Sequence, residues 1–170
     1  LAALLCELDR EEAAALAATF ARQDETITRL RRDSAAAHET LATLELAPTG
    51  DLVVQGDSIF FTSEAGNAVL SLPIAGGRPQ VLAQVTAPTQ LAVDKTHVYF
   101  VTFARNEPGG SVSRVARQGG PAEVLSSGHL GLDNIALDES DVYFRSNSGL
   151  FRLPKSGGNP QSLWTRKPTQ

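Results

Sequence analysis

Ile135-Ala136-Leu137-Asp138-Glu139-Ser140-Asp141-Val142-Tyr143-Phe144 is the stretch from which the rest of the chain is read. Two short apolar runs flank an Asp-containing turn, the pattern of two antiparallel strands joined tightly. The second run, Val142-Tyr143-Phe144, is apolar at every position, so a strand built from it needs cover on both faces. A strand in a one-sided sheet would alternate. The pattern occurs twice more, as Leu91-Ala92-Val93-Asp94-Lys95-Thr96-His97-Val98-Tyr99-Phe100 and as Leu52-Val53-Val54-Gln55-Gly56-Asp57-Ser58-Ile59-Phe60-Phe61. The three copies start 39 and 44 residues apart.

Each copy continues in the same way. A further apolar run leads to a Gly pair, Gly76-Gly77, Gly119-Gly120 or Gly157-Gly158, and then to Leu82, Leu125 or Leu163. Paired glycines supply the positive φ of a tight hairpin. Each unit therefore holds four short strands, expected at 90–93, 97–103, 111–115 and 121–125 in the second copy. In the third they are expected at 133–137, 141–146, 149–153 and 160–164. Repetition near 40 residues in a β-rich chain points to four-stranded antiparallel propeller blades, here approximately 48–86, 87–131 and 132–166.

The third copy carries the run most fully, from Ile135 to Phe144 and on through Arg152-Leu153-Pro154-Lys155-Ser156-Gly157-Gly158. In this it resembles the six-bladed propellers of the TolB-like, NHL and YWTD group, over residues 48–164. The resemblance implies blade architecture. The YWTD motif itself is absent, and the functions of such propellers range from binding platforms and scaffolds to hydrolases and lactonases. Three blades do not close a ring. Lys167-Pro168-Thr169-Gln170 repeats the blade-entry residues Ala47-Pro48-Thr49-Gly50 and Ala87-Pro88-Thr89-Gln90. The expectation is a fourth blade entered at 167–170, with the missing blades drawn from a longer chain or from a second copy.

Residues 1–47 read differently. They lack Gly and Pro and are rich in Ala, Leu, Glu and Arg, which favour helices. Leu16, Phe20, Ile27, Leu30, Leu41 and Leu44 fall on a 4,3 spacing. This predicts a long amphipathic helix or helix pair, with a coiled coil as an extension of the same idea. The stripe would pack on the propeller or drive oligomerisation. The fold expected is thus mainly β with an N-terminal α segment at 1–47 and a partial β-propeller at 48–170.

Composition narrows function mainly by exclusion. The formal net charge is −4, which gives no basic surplus for nucleic acid. No apolar run is long enough for a transmembrane helix. Cys6 is the single cysteine, so neither an internal disulfide nor a Cys-based metal cluster can form. Twelve Arg against three Lys, with abundant Ala, fit a GC-rich bacterial source. An extracytoplasmic setting is compatible with this composition. No metal or cofactor motif stands out, and no nucleophile elbow or phosphate loop is present.

Propeller ligands are expected on the face formed by the loops between strands two and three and between consecutive blades. The second copy has the longest loops there. They carry Arg105, Asn106, Glu107 and His129, and the third copy offers Arg145 and Asn147. The leading expectation is a non-enzymatic binding or scaffold module for a protein or peptide. The alternatives are a fragment of a lactonase-like hydrolase and a helix-driven structural oligomer. A metal-dependent lactonase would need a regular ring of carboxylates and amides. Asp133 with Asn134, Asp51 with Gly50 and Gln90 with Thr89 are irregular for that purpose.

Overall fold

The computed structural model describes residues 17–20, 26–30, 38–43, 50–103 and 109–165, and among these there is no helix. Strands β1 (Ala17–Phe20), β2 (Thr26–Leu30) and β3 (His38–Thr43) form the first sheet. The second holds β4 (Leu52–Gln55), β5 (Ser58–Ser63), β6 (Ala68–Pro73) and β7 (Gln80–Gln84). The third holds β8 (Pro88–Val93), β9 (His97–Thr102), β10 (Gly110–Ala116) and β11 (Glu123–His129). The fourth holds β12 (Asn134–Leu137), β13 (Asp141–Ser146), β14 (Gly149–Pro154) and β15 (Gln161–Thr165). Every sheet is an antiparallel meander of sequence neighbours.

The expected N-terminal helix is overturned. Ala17–Phe20, Thr26–Leu30 and His38–Thr43 are strands, with Ile27 facing Ala42 and Phe20 facing Ile27 in the ladder. Phe20, Ile27, Leu30 and Leu41 therefore belong to a sheet rather than to a helical stripe, whereas Leu16 and Leu44 lie outside the described residues. Helix propensity is worth only tenths of a kcal/mol per residue, and burial outweighs it. Ile27 and Leu41 are buried in one cluster with Leu52, Ile59, Phe61 and Leu72 of the second sheet. The helix-driven oligomer falls with the helix.

A β-bulge shows what the first sheet is. The ladder shifts register between Ile27 and Thr28, between Val69 and Leu70, between Val112 and Ser113, and between Leu150 and Phe151. The extra residue on the partner strand is Leu41, Leu82, Leu125 or Leu163. The last two strands of the first sheet thus share their bulge with the last two strands of the other three.

Between successive sheets lie the cores. The second strand of each repeat points one set of side chains backward and the next set forward. Ile59 and Phe61 pack toward the first sheet, while Phe60 packs with Leu91, Val98 and Phe100 of the third. Tyr99 and Val101 pack forward with Val142, Phe144 and Leu153 of the fourth. Burying each such side chain stabilises the fold by roughly 1.5–3 kcal/mol. This explains why the second strands are apolar at their centres.

The Gly-Gly hairpins close the contact. Gly76, Gly119 and Gly157 adopt φ near 85°. The hairpin of each sheet rests on the last strand of the sheet before it. Gly77 N–H donates to Leu41 O at 3.3 Å, and Gly120 N–H to Leu82 O at 3.1 Å. A Cβ at Gly76 would fall 2.8 Å from Leu41 O, so that approach requires glycine.

Candidate functional site

An antiparallel meander brings the loops after its second and fourth strands to one end. The innermost strands β4, β8 and β12 start at that same end. The residues just before their anchors Leu52, Leu91 and Ile135 are Asp51, Gln90 and Asn134. These three line an open cavity of ≈ 370 Å³, together with Val53, Ala92 and Leu137.

Asp51 is the most committed member of this row. Its Oδ1 accepts from Leu52 N–H at 2.9 Å, and its Oδ2 accepts from Leu91 N–H at 3.3 Å in the next sheet. Its own N–H donates to Thr62 Oγ1 at 2.9 Å and to Thr89 O at 3.0 Å. Burial pushes the carboxyl above its usual range, and the two backbone N–H donors partly offset that. Asp51 therefore straps the second sheet to the third. Gln90 and Asn134 hold the equivalent places in the third and fourth sheets as neutral amides.

The rim of the cavity end is built by the third and fourth sheets. His129 pairs with Gly110 in the ladder, and its Nε2 shares a 2.7 Å hydrogen bond with Ser126 Oγ. Its ring lies 4.8 Å from the Phe144 ring and 6.2 Å from the Phe151 ring. Burial lowers its pKa and favours the neutral imidazole. Asn147 N–H donates to Leu130 O at 2.9 Å, and the Asn147 side chain lies over Gly131. Gly131, at φ 65°, leaves room for it.

His129 and Asn147 thus meet along one edge. Arg145 does not join them. It follows Phe144, and strand alternation sends it to the opposite face of β13. There its Nε donates to Asp133 Oδ1 at 2.8 Å in an exposed ion pair. Asp133 is consequently held at the surface rather than in the Asp51 row. Arg105, Asn106 and Glu107 lie outside the described residues.

Two rim residues escape a search for polar groups. Phe103 and Leu130 directly follow β9 and β11 at this end, and they are 37% and 38% exposed. The loop lengths pointed to the place, but nothing in the composition singled out the apolar members. The row Asp51, Gln90 and Asn134 had a clearer signal, since a polar residue precedes the strand-one anchor in all three copies. Among the described residues no three His, Cys, Asp or Glu side chains converge as a metal site. Also among the described residues, no helix is long and apolar enough to cross a membrane.

No protein-family model and no curated protein matches the chain. Solved structures do. A chain of a nidogen/laminin complex matches at TM-score 0.72 and 17% identity, covering 86% of this chain and 59% of that one. A putative TolB from Agrobacterium tumefaciens matches at TM-score 0.73 and 14% identity, covering 89% and 58%. A streptogramin B lyase matches at TM-score 0.70 and 16% identity, covering 91% and 52%. The chain thus spans a little over half the length of these structures. At such identities the likeness shows the fold alone. Together with the repeated four-stranded meanders and their shared bulge, it establishes that this chain is built of β-propeller blades.

Proposed function

We propose that the chain is part of a β-propeller that binds a protein or peptide partner on its loop face, without turnover. The exposed pair Phe103 and Leu130 carries this reading. Apolar side chains at the rim of a rigid scaffold, beside polar groups already held in place, suit recognition of an extended chain. Asn147 and the neutral His129 adjoin Leu130 and offer hydrogen-bonding groups. Asp51, Gln90 and Asn134, which line the nearby cavity, supply further amide and carboxyl oxygens. The solved structures of this fold include a nidogen/laminin complex, a protein–protein assembly by its description.

The test is selection of a displayed random-peptide library on the purified chain, followed by calorimetric titration of the enriched peptides. Phe103→Ser and Leu130→Ser are expected to weaken them at least tenfold. Val124→Ser, on another exposed site, leaves them unchanged. Failure to enrich any peptide, or equal binding to all three variants, contradicts the proposal. One observation favours a hydrolytic reading, the 2.7 Å contact between Ser126 Oγ and His129 Nε2. A serine-directed fluorophosphonate that labels Ser126 only when His129 is intact would support that reading instead.

A further inference from the structure

A repeated cation latch joins the second sheet to the third and the third to the fourth. Arg117 and Lys155 occupy the same place in their repeats, two residues before the first hairpin glycine. Each reaches back to the preceding sheet. Arg117 Nη2 donates to Gln55 O at 3.1 Å, with its guanidinium 4.8 Å from the centre of the Phe60 ring. Lys155 Nζ donates to Asp94 Oδ2 at 2.9 Å and lies 5.5 Å from the centre of the Tyr99 ring. Both cations thus bind an oxygen where strand one gives way to the turn and rest over the aromatic residue of strand two.

The fourth sheet carries the receiving half of the same latch. Tyr143 holds the register place of Phe60 and Tyr99. Asp138 holds the place of Asp94. Its Oδ1 accepts from Ser140 and Asp141 N–H at 2.9 and 2.8 Å, as Asp94 Oδ1 does from Thr96 and His97. The second oxygen differs. Asp138 Oδ2 accepts from Tyr143 OH at 2.7 Å, where Asp94 Oδ2 accepts from Lys155.

The apolar half of the interface is present too. Leu163 stands where Leu41, Leu82 and Leu125 are buried, yet it is 48% exposed. Leu150 stands where Ile27, Val69 and Val112 are buried, yet it is 39% exposed. Trp164 beside them is 60% exposed. Around Asn134, Ala136, Tyr143, Arg145 and Leu150 the face forms a shallow hollow of ≈ 230 Å³.

We propose that this face receives one further sheet of the same repeat, whose hairpin Lys or Arg binds Asp138 over the Tyr143 ring. The occupant follows from continuity with the two latched interfaces and from charge complementarity at Asp138. The proposal rests on the partial-propeller reading but not on the peptide site.

Trp164 is the single tryptophan and reports the face directly. The experiment extends the full chain after Gln170 with a copy of residues 91–131, which brings a second Arg117 and no tryptophan. The expected result is a blue-shifted Trp164 emission and a several-fold fall in acrylamide quenching. Asp138→Asn, or Arg117→Ala in the added copy alone, is expected to restore much of the quenching while circular dichroism stays unchanged. An extended chain with Trp164 as quenchable as before overturns the proposal. So does protection that neither substitution alters. Protection of Trp164 by self-association of the unextended chain, seen by light scattering, makes a second copy the occupant and overturns it equally. Peptide binding at Phe103 and Leu130 is measured separately, so failure of one reading leaves the other standing.

Discussion

Replacing Ile27 by alanine tests whether the N-terminal segment is a blade. Ile27 is 1% exposed, and its cluster contains Leu41 from its own sheet and Leu52, Ile59 and Phe61 from the next. Three carbon atoms are removed, at about 0.8 kcal/mol each. The cavity left between two sheets adds to this, which places the loss near 3 kcal/mol, within the usual range of about 2–5 kcal/mol. Ile27→Val removes one methyl and is expected to cost about 1 kcal/mol. Val124→Ala, at a site 60% exposed, is the control and stays within about 0.5 kcal/mol. Urea denaturation followed by circular dichroism reads the difference, since a slope of about 2 kcal/mol per molar turns 3 kcal/mol into a midpoint shift of about 1.5 M. A segment that does not pack on the second sheet predicts instead that Ile27→Ala behaves like the control. Equal midpoints for Ile27→Ala and Val124→Ala would refute the packing argument.

Other perturbations probe the joints. Lys155→Met removes the partner of Asp94, whose carboxyl is held well below the usual range by the Lys155 ammonium and the turn N–H groups against the opposing effect of burial. A depressed carboxyl pKa stabilises the fold above the ordinary value of 3.8 and loses that contribution as pH falls below it. Thermal melts should therefore separate wild type from Lys155→Met at pH 5 and converge toward pH 2, and a constant gap would contradict the pairing. The depressed pKa of His129 gives stability above pH 6.5 that fades in acid. His129→Gln should flatten the melting temperature between pH 5 and 7, and an imidazole titration midpoint above 6.5 by NMR would contradict the burial. Gly110→Ala drives a Cβ into Thr102 O, a backbone atom that cannot move aside. A loss of about 1–3 kcal/mol is expected in urea melts, and a neutral substitution would contradict the close approach.

What the sequence made legible were features whose local chemistry and tertiary role agree. The second strands of the second and third sheets are apolar at their centres on both faces because a sheet covers each. Gly76-Gly77, Gly119-Gly120 and Gly157-Gly158 turn hairpins whose backbone conformation excludes other residues at little cost. The first sheet was not legible from propensity, because its hairpin has no glycine pair and its residues favour helices in isolation. The 4,3 spacing of Ile27, Leu30 and Leu41 arose by coincidence from two strands. A repeat signal was present nonetheless. Arg29-Leu30-Arg31-Arg32 parallels Arg152-Leu153-Pro154-Lys155, and Leu41-Ala42 precedes an Ala-Pro-Thr just as Leu82-Ala83 does. At the site, His129 and Asn147 lie on adjoining segments, joined by the Asn147 N–H bond to Leu130 O. Arg145 pairs instead with Asp133, a partner that sequence distance conceals because strand alternation sets its face. Phe103 and Leu130 carry no polar mark, and only exposure reveals them.

Nuclear Overhauser contacts measured on the isotope-labelled chain test most directly whether each repeat is a separate sheet stacked on the next. Separate stacked sheets predict cross-strand amide contacts from β8 through β11 but no such ladder between β7 and β8, with side-chain contacts from Phe60 to Val98 and Phe100. A continuous backbone ladder from β7 into β8, with Phe60 remote from Phe100, would contradict it.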